Sequence, residues 1–265
     1  MITKEEQTLQ FQPPRRRTIA HVTSLGLTCL QRRNPWIVAF FAFSFPGFGY
    51  LLLERYLAAF LFISWEVMIN TKAQINLGIL YTLLGQFGKA KSLLQPDWLM
   101  LYIGLYLFNI WDSYRLTIDL NKQYQLARQE DAGIPNARIS HLDIHFQDKK
   151  KPEIALVWSF LAPGTGQLYA HKTLSGFLVL GSIFTVAALS RIPLGIQYAA
   201  TGKFADVTRT LDMQWAMYLP SIYFFLAYDA YHSTVEANRL FKIEQTQYLK
   251  QRYQNPNFPM PIQER

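Results

Sequence analysis

The sequence predicts an all-α fold: a polytopic helical membrane protein made of two tandem, pseudo-symmetric modules. Three observations predict it. Residues 43–49, Phe-Ser-Phe-Pro-Gly-Phe-Gly, return as Phe-Leu-Ala-Pro-Gly-Thr-Gly at 160–166, 117 positions later. Long apolar runs carry few charges. The cations gather in the segments between those runs, as loop orientation at a membrane requires.

The repeat is countable. At an offset of 117, residues 34–121 align with 151–238 without a gap, and 26 of the 88 pairs are identical. Matched Pro35/Pro152, Trp98/Trp215, Asp112/Asp229 and Asn121/Asn238 are beyond what a shared apolar composition explains. The organisation expected is a basic N-terminal segment 1–33, module one at 34–121, a linker 122–150, module two at 151–238 and a polar tail 239–265.

Composition narrows the class. Half of the residues are hydrophobic, and the net charge is +8. Such a charge could serve nucleic acid, but here the cations flank apolar runs, so no nucleic-acid partner is expected. The one cysteine, Cys29, excludes an internal disulfide and a multi-cysteine metal site. Residues 1–17 are polar, read as disordered, and show no cleavable signal.

In chain order, residues 18–31 read as a short, weakly amphipathic helix between Arg15–Arg17 and Arg32–Arg33. Segment a, 36–53, begins after Pro35, which a first helical turn tolerates. Pro46, Gly47 and Gly49 break it at its centre. Segment b starts at Tyr56 and stays apolar to Ile69, with helical pattern to Leu84. A short helix covers 87–94. Segment c runs apolar from Asp97 to Ile118, interrupted by Asp112, and continues as a polar helix to Arg128. In the linker, 141–146 alternates polar and apolar, as an extended segment does. Module two repeats the plan, with Pro163, Gly164 and Gly166 as the break in segment a at 153–170.

Counting Lys plus Arg gives six up to residue 35, seven in 115–152 and five from 232, against three in each of 71–97 and 190–213. The three richest regions should share the cytoplasmic side. Segments b and c of each module then supply four crossings. Segment a enters and leaves on one face as a re-entrant turn, or alternatively crosses as a kinked helix. The expected location is a multi-pass cell membrane with cytoplasmic termini, and the expected partners are the lipid bilayer and other membrane proteins.

Several residues could carry chemistry. Asp112 and Asp229 sit inside apolar helices at matched positions, where a charge needs a partner. Arg55 and Lys172 lie at the same predicted depth, giving the expected pairs Arg55–Asp112 and Lys172–Asp229, read as structural. Glu66 has Ile183 as its counterpart. A lone acid there should be neutral and hydrogen-bonded, with Tyr102 or Tyr106 as acceptors. Leu-Gly-Ile-x-Tyr-x-x-x-Gly-x-Phe, at 77–87 and 194–204, has the spacing of a tetratricopeptide core and reads as a helix–turn–helix cap packed on its twin. His141, Asp143 and His145 are too spread in an extended strand to bind a metal. No cofactor, metal or catalytic constellation is predicted.

The Pro-Gly-Thr-Gly-Gln-Leu-Tyr stretch at 163–169 resembles bacterial inner-membrane proteins of the TM2-domain group, with a Pro-Gly-x-Gly-Gln-x-Tyr signature. In these, a basic residue precedes a hydrophobic helix and a later helix carries an Asp, as at Tyr228-Asp229-Ala230-Tyr231. Module one departs from it, with Tyr50 in place of Gln167 and Leu52 in place of Tyr169. The resemblance implies fold and location. The function expected is a non-catalytic membrane scaffold. The rival is a small transporter or lipid-handling protein with a site between the modules.

Overall fold

The computed structural model describes residues 20–23, 26–130, 137–139, 144–146 and 148–253. Strands β1 (Ala20–Thr23) and β2 (Gly26–Cys29) pair antiparallel as a hairpin. Next comes α1 (Pro35–Ser44). Pro35 occupies its first turn, where the missing N–H costs nothing, and the Asn34 side chain accepts from the Trp36 N–H. Pro46 and Gly47, with φ 98°, end that run and start α2 (Phe48–Leu52). Helix α3 (Tyr56–Ala73) closes on Gln74 in a left-handed conformation, and α4 (Ile75–Leu83) and α5 (Phe87–Leu93) follow as a helical hairpin. The long α6 (Pro96–Gln129) completes the first set.

The order then recurs. Strands β3 (Ala137–Ile139) and β4 (Ile144–Phe146) form a second hairpin. Helices α7 (Pro152–Leu161), α8 (Thr165–Tyr169), α9 (Thr173–Ser190), α10 (Ile192–Ala200) and α11 (Phe204–Thr210) each begin and end 117 residues after their counterparts. Only the last helix differs. It is split into α12 (Met213–Ala216) and α13 (Leu219–Tyr253). Pro220 stands where α6 has Ile103 and cannot donate to a preceding turn, which accounts for the split.

The two sets share one core. Phe41, Phe45, Phe48 and Leu52 pack with Val179 and with Ile222, Phe225 and Leu226 of α13. Tyr124 and Ala127 of the α6 tail pack with Leu240 of α13 in a smaller cluster. Large apolar side chains also remain on the outer faces, among them Trp36, Phe40, Leu57, Met100 and Phe177.

This architecture corrects the polytopic plan. Among the described residues one helix, Thr173–Ser190, is long and apolar enough to cross a membrane, where four crossings were expected. The other runs fail for identifiable reasons. Helix α3 carries Glu66, Asn70 and Lys72, and the long helices α6 and α13 meet Asp112 and Asp229 part-way along. The multi-pass membrane location, the bilayer and membrane proteins as partners, and the scaffold and transporter readings fall with that plan. Segment a holds no helix long enough to cross a membrane. It is two short helices bent at the Pro-Gly turn, with α1 laid along α6 and α7 along α13. The helix expected over 18–31 is the β1–β2 hairpin instead. The cap helices α4 and α5 pack on each other, and α4 also meets α12. The termini, His141 and Asp143 lie outside the described residues.

Candidate functional site

The seam between the repeats carries a partly open pocket of about 480 Å³, with Phe60, Gly181 and Thr185 of its lining exposed. Helix α3 supplies Phe60, Ile63, Ser64 and Val67 to one wall. Helix α9 supplies Leu178, Gly181, Ser182 and Thr185 to the facing wall. Phe45, Phe48 and Leu51 also line it from the first repeat, and Trp215, Tyr218, Ile222 and Phe225 from the second. The aromatic rings interlock: Phe45 stacks on Phe48 at 4.5 Å, Phe48 meets Phe225 at 4.4 Å and Phe45 meets Tyr218 edge-on at 5.5 Å. Gly181 of α9 lines the pocket and is exposed, and a side chain added there would meet nothing within 4 Å. The Ser182 and Thr185 hydroxyls already donate within their own helix, to Leu178 O and Gly181 O.

A polar network crosses the seam nearby. Asn70 Nδ2 donates to Glu66 Oε1 at 2.8 Å and to Asn76 Oδ1 at 3.1 Å. Gln214 of α12 reaches over from the second repeat. Its Nε2 donates to Asn70 Oδ1 at 2.8 Å, its Oε1 accepts from the Leu77 N–H, and its main-chain oxygen accepts from Asn76 Nδ2 at 2.8 Å. Glu66 is 3 % exposed, and its carboxyl is hydrogen-bonded by Asn70 and by Tyr102. Burial pushes its carboxyl pKa up, against the pull of Asn70 and Tyr102. Its charge in turn helps to raise the phenols of Tyr102, Tyr106 and Tyr218, whose main cause is burial, with Tyr106 at about 12. Tyr106 does not bond Glu66; its hydroxyl donates to Phe43 O at 2.6 Å.

The structure brings Lys172 and Asp229 together, with Nζ 2.9 Å from Oδ1. It does not bring Arg55 to Asp112. Asp112 Oδ2 accepts from the Tyr50 hydroxyl at 2.8 Å and Oδ1 from Arg115, while Arg55 is exposed. Gly47 and Gly164 hold the left-handed turns against α3 and α9. A Cβ at Gly49 would collide with Ser113 of α6. Pro46 is fully buried beside the turn, and the Gly47 N–H donates to Asn109 Oδ1. At Pro163 the same turn forms without that asparagine, because Leu226 stands in its place, and Gln167 Nε2 donates to Leu226 O instead.

Sequence reasoning missed Asn70, Asn76, Gln214 and Tyr218. One signal was present. Glu66 and Asn70 are four apart on an otherwise apolar helix, hence on one face. Gln214 and Tyr218 carry no such mark, because the repeat pairs them with Asp97 and Leu101.

The resemblance to the TM2-domain group is corrected at this point, since among the described residues one helix, in place of the paired crossings of each module, qualifies as a span. No family model matches this chain, and no curated protein and no solved structure matches it.

Proposed function

We propose that this chain is a non-catalytic binding protein that takes an apolar small molecule into the cavity where two copies of one unit, 34–121 and 151–238, meet. The observation that carries the reading is the cavity itself: about 480 Å³, walled by apolar side chains from both repeats. That volume lies in the usual range of small-molecule sites, about 300–1,000 Å³. The lining offers hydroxyls and aromatic rings, and no carboxylate, imidazole or amine. This favours binding over chemistry.

Titration with the uncharged fluorophore N-phenyl-1-naphthylamine tests it. The full chain should bind the probe saturably. Gly181→Phe should weaken binding, because Gly181 lines the pocket, and should preserve the fold, because a Cβ there meets nothing and a helical glycine is removed. Saturable binding that Gly181→Phe leaves unchanged overturns the proposal. So does a chain that sediments with membranes and binds no probe at the seam.

A further inference from the structure

We propose that Glu66 is a proton-operated latch: as a neutral acid it keeps α12 of the second repeat seated on the first, and on losing its proton it releases α12. Glu66 reaches the other repeat through one amide. Asn70 Oδ1 accepts from the Asn76 main-chain N–H at 3.1 Å and from Gln214 Nε2 at 2.8 Å. A main-chain N–H can only donate, so the Asn70 amide cannot flip, and its Nδ2 must face Glu66 Oε1. Gln214 is fixed in the same way, because its Oε1 accepts from the Leu77 N–H. Asn76 and Leu77 lie in the first turn of α4, where an N–H has no partner within its own helix. Both take their partners from the latch instead.

No cation balances a charge on Glu66. The titratable groups that act with it are phenols: Tyr102 and Tyr106 of α6, and Tyr218 just ahead of α13. Tyr102 bonds the carboxyl, and Tyr218 is hydrogen-bonded to Thr71. Asp212, ahead of α12, accepts from the Gln214 N–H, while Lys72 and Asp97 are exposed. Among the described residues no lysine, arginine or histidine acts on the Glu66 carboxyl. A carboxylate in that place therefore needs water. The α6 side of its surroundings is one helix of 34 residues and does not yield. Helix α12 has four residues and is cut off from α13, so it is the element that can withdraw. The Asp212 N–H is bonded to Ser190 O, which gives the motion a pivot. Trp215 of α12 lines the pocket, so on the reading above its release also loosens the ligand site.

Amide hydrogen exchange of the full chain from pH 5 to pH 9, each rate divided by its intrinsic rate, tests the latch. The Asn76 and Leu77 amides should open more often as pH rises above about 4.5, by up to about tenfold per pH unit for one released proton, until the pKa of the closed state is passed. Helix α7 should keep its protection. Glu66→Gln cannot ionise and should hold both amides flat over the whole range. Protection at Asn76 and Leu77 that does not depend on pH overturns the latch, as does the same pH response in Glu66→Gln. A loss shared equally by α7 also overturns it, because that is unfolding of the whole chain. The comparison with α7 uses the wild-type protein alone, so it stands even where Glu66→Gln fails to fold. Exchange needs no ligand, so the latch and the binding reading fail separately.

Discussion

Lys172 Nζ lies 2.9 Å from Asp229 Oδ1 and 3.8 Å from Glu54 Oε1, so one ammonium from the second repeat holds a carboxylate from each repeat. All three side chains are buried. Burial alone would raise the Asp229 carboxyl, but Lys172 and Arg33 outweigh it and hold it below the usual range. Asp229 is therefore ionised at neutral pH. The arrangement also joins the repeats, because Glu54 ends the α2 turn and Lys172 precedes α9.

Removing one partner of such a pair strands the other. Asp229→Ala should lower stability by about 3–5 kcal/mol in urea unfolding. Lys172→Met should cost a similar amount, and the double variant should lose less than the sum. The pH dependence follows from the sign of the shift. A depressed carboxyl contributes stability above its unfolded pKa of about 4, and loses it as pH falls through the folded value. Wild-type protein should thus lose stability below about pH 4 more steeply than Asp229→Ala. Additive losses, or equal acid slopes, would show that the pair is not coupled.

At the matched position the partners differ. Arg115 lies three residues beyond Asp112 on the same helix and reaches Oδ1 at 2.5 Å, while Tyr50 holds Oδ2. Arg115 is half exposed, so Arg115→Ala should cost only about 0–1 kcal/mol. Arg55→Ala should change stability by no more than about 0.5 kcal/mol. Asp112→Ala should cost about 1–3 kcal/mol, because it leaves the Tyr50 hydroxyl unpaired. A thermodynamic cycle of Arg55→Ala and Asp112→Ala should be additive. A coupling above about 1 kcal/mol would mean that Arg55 does pair with Asp112 in solution.

Glu66 should show the opposite pH behaviour to Asp229. Its folded pKa is raised by burial, so the folded state binds a proton that the unfolded state has released above about pH 4.5. Stability from this group is complete below that pH and falls as pH rises through the folded value. Glu66→Gln removes the titration and can keep the bond from Asn70. The melting temperature of the Glu66→Gln variant minus that of the wild-type protein should therefore grow as pH rises above about 4.5. A difference that shrinks with rising pH would show an ionised Glu66 paired in the fold.

The repeat and its breaks were legible because Pro and Gly act locally, and a 117-residue offset is visible without any tertiary knowledge. The helix ends follow from it. The Lys172–Asp229 contact was legible through opposite charge at matched depth. Its twin was misread because a nearer cation on the same helix, Arg115, competes with Arg55, and spacing from the Gly turn cannot rank the two. The crossing helices were over-read for a physical reason. Asn70 Oδ1 accepts from Gln214 of the other repeat, and Asn76 Nδ2 donates to its main-chain oxygen. Such a contact, 138 residues apart in sequence, leaves no local pattern. The β1–β2 hairpin escaped because Val22 and Leu27 fit a weak helical stripe as readily as two short strands.

The glycines of the two turns offer the sharpest separation of conformation from packing. Gly47 has φ 98° and Gly164 has φ 97°, and both face a neighbouring helix. A Cβ on Gly47 would lie 2.6 Å from Ile63 Cγ1 and 2.8 Å from the Ala59 carbonyl oxygen. On Gly164 it would lie 2.7 Å from Leu180 Cγ and 2.9 Å from the Gly176 carbonyl oxygen. Backbone oxygens cannot rotate away, so alanine there suffers left-handed strain of about 1–3 kcal/mol and a clash of about 1–3 kcal/mol. Gly85 and Gly202 provide the control. Each has φ 73°, and a Cβ would meet nothing within 4 Å. Alanine at these two positions suffers the strain alone. Urea unfolding should therefore rank Gly47→Ala and Gly164→Ala well below Gly85→Ala and Gly202→Ala, with a gap of about 1–3 kcal/mol. Because Ile63 also lines the seam, Gly47→Ala should weaken probe binding as well, while Gly85→Ala should leave it intact. Equal losses at all four glycines would mean that the turns do not press on α3 and α9, and that the cavity wall is not set by them.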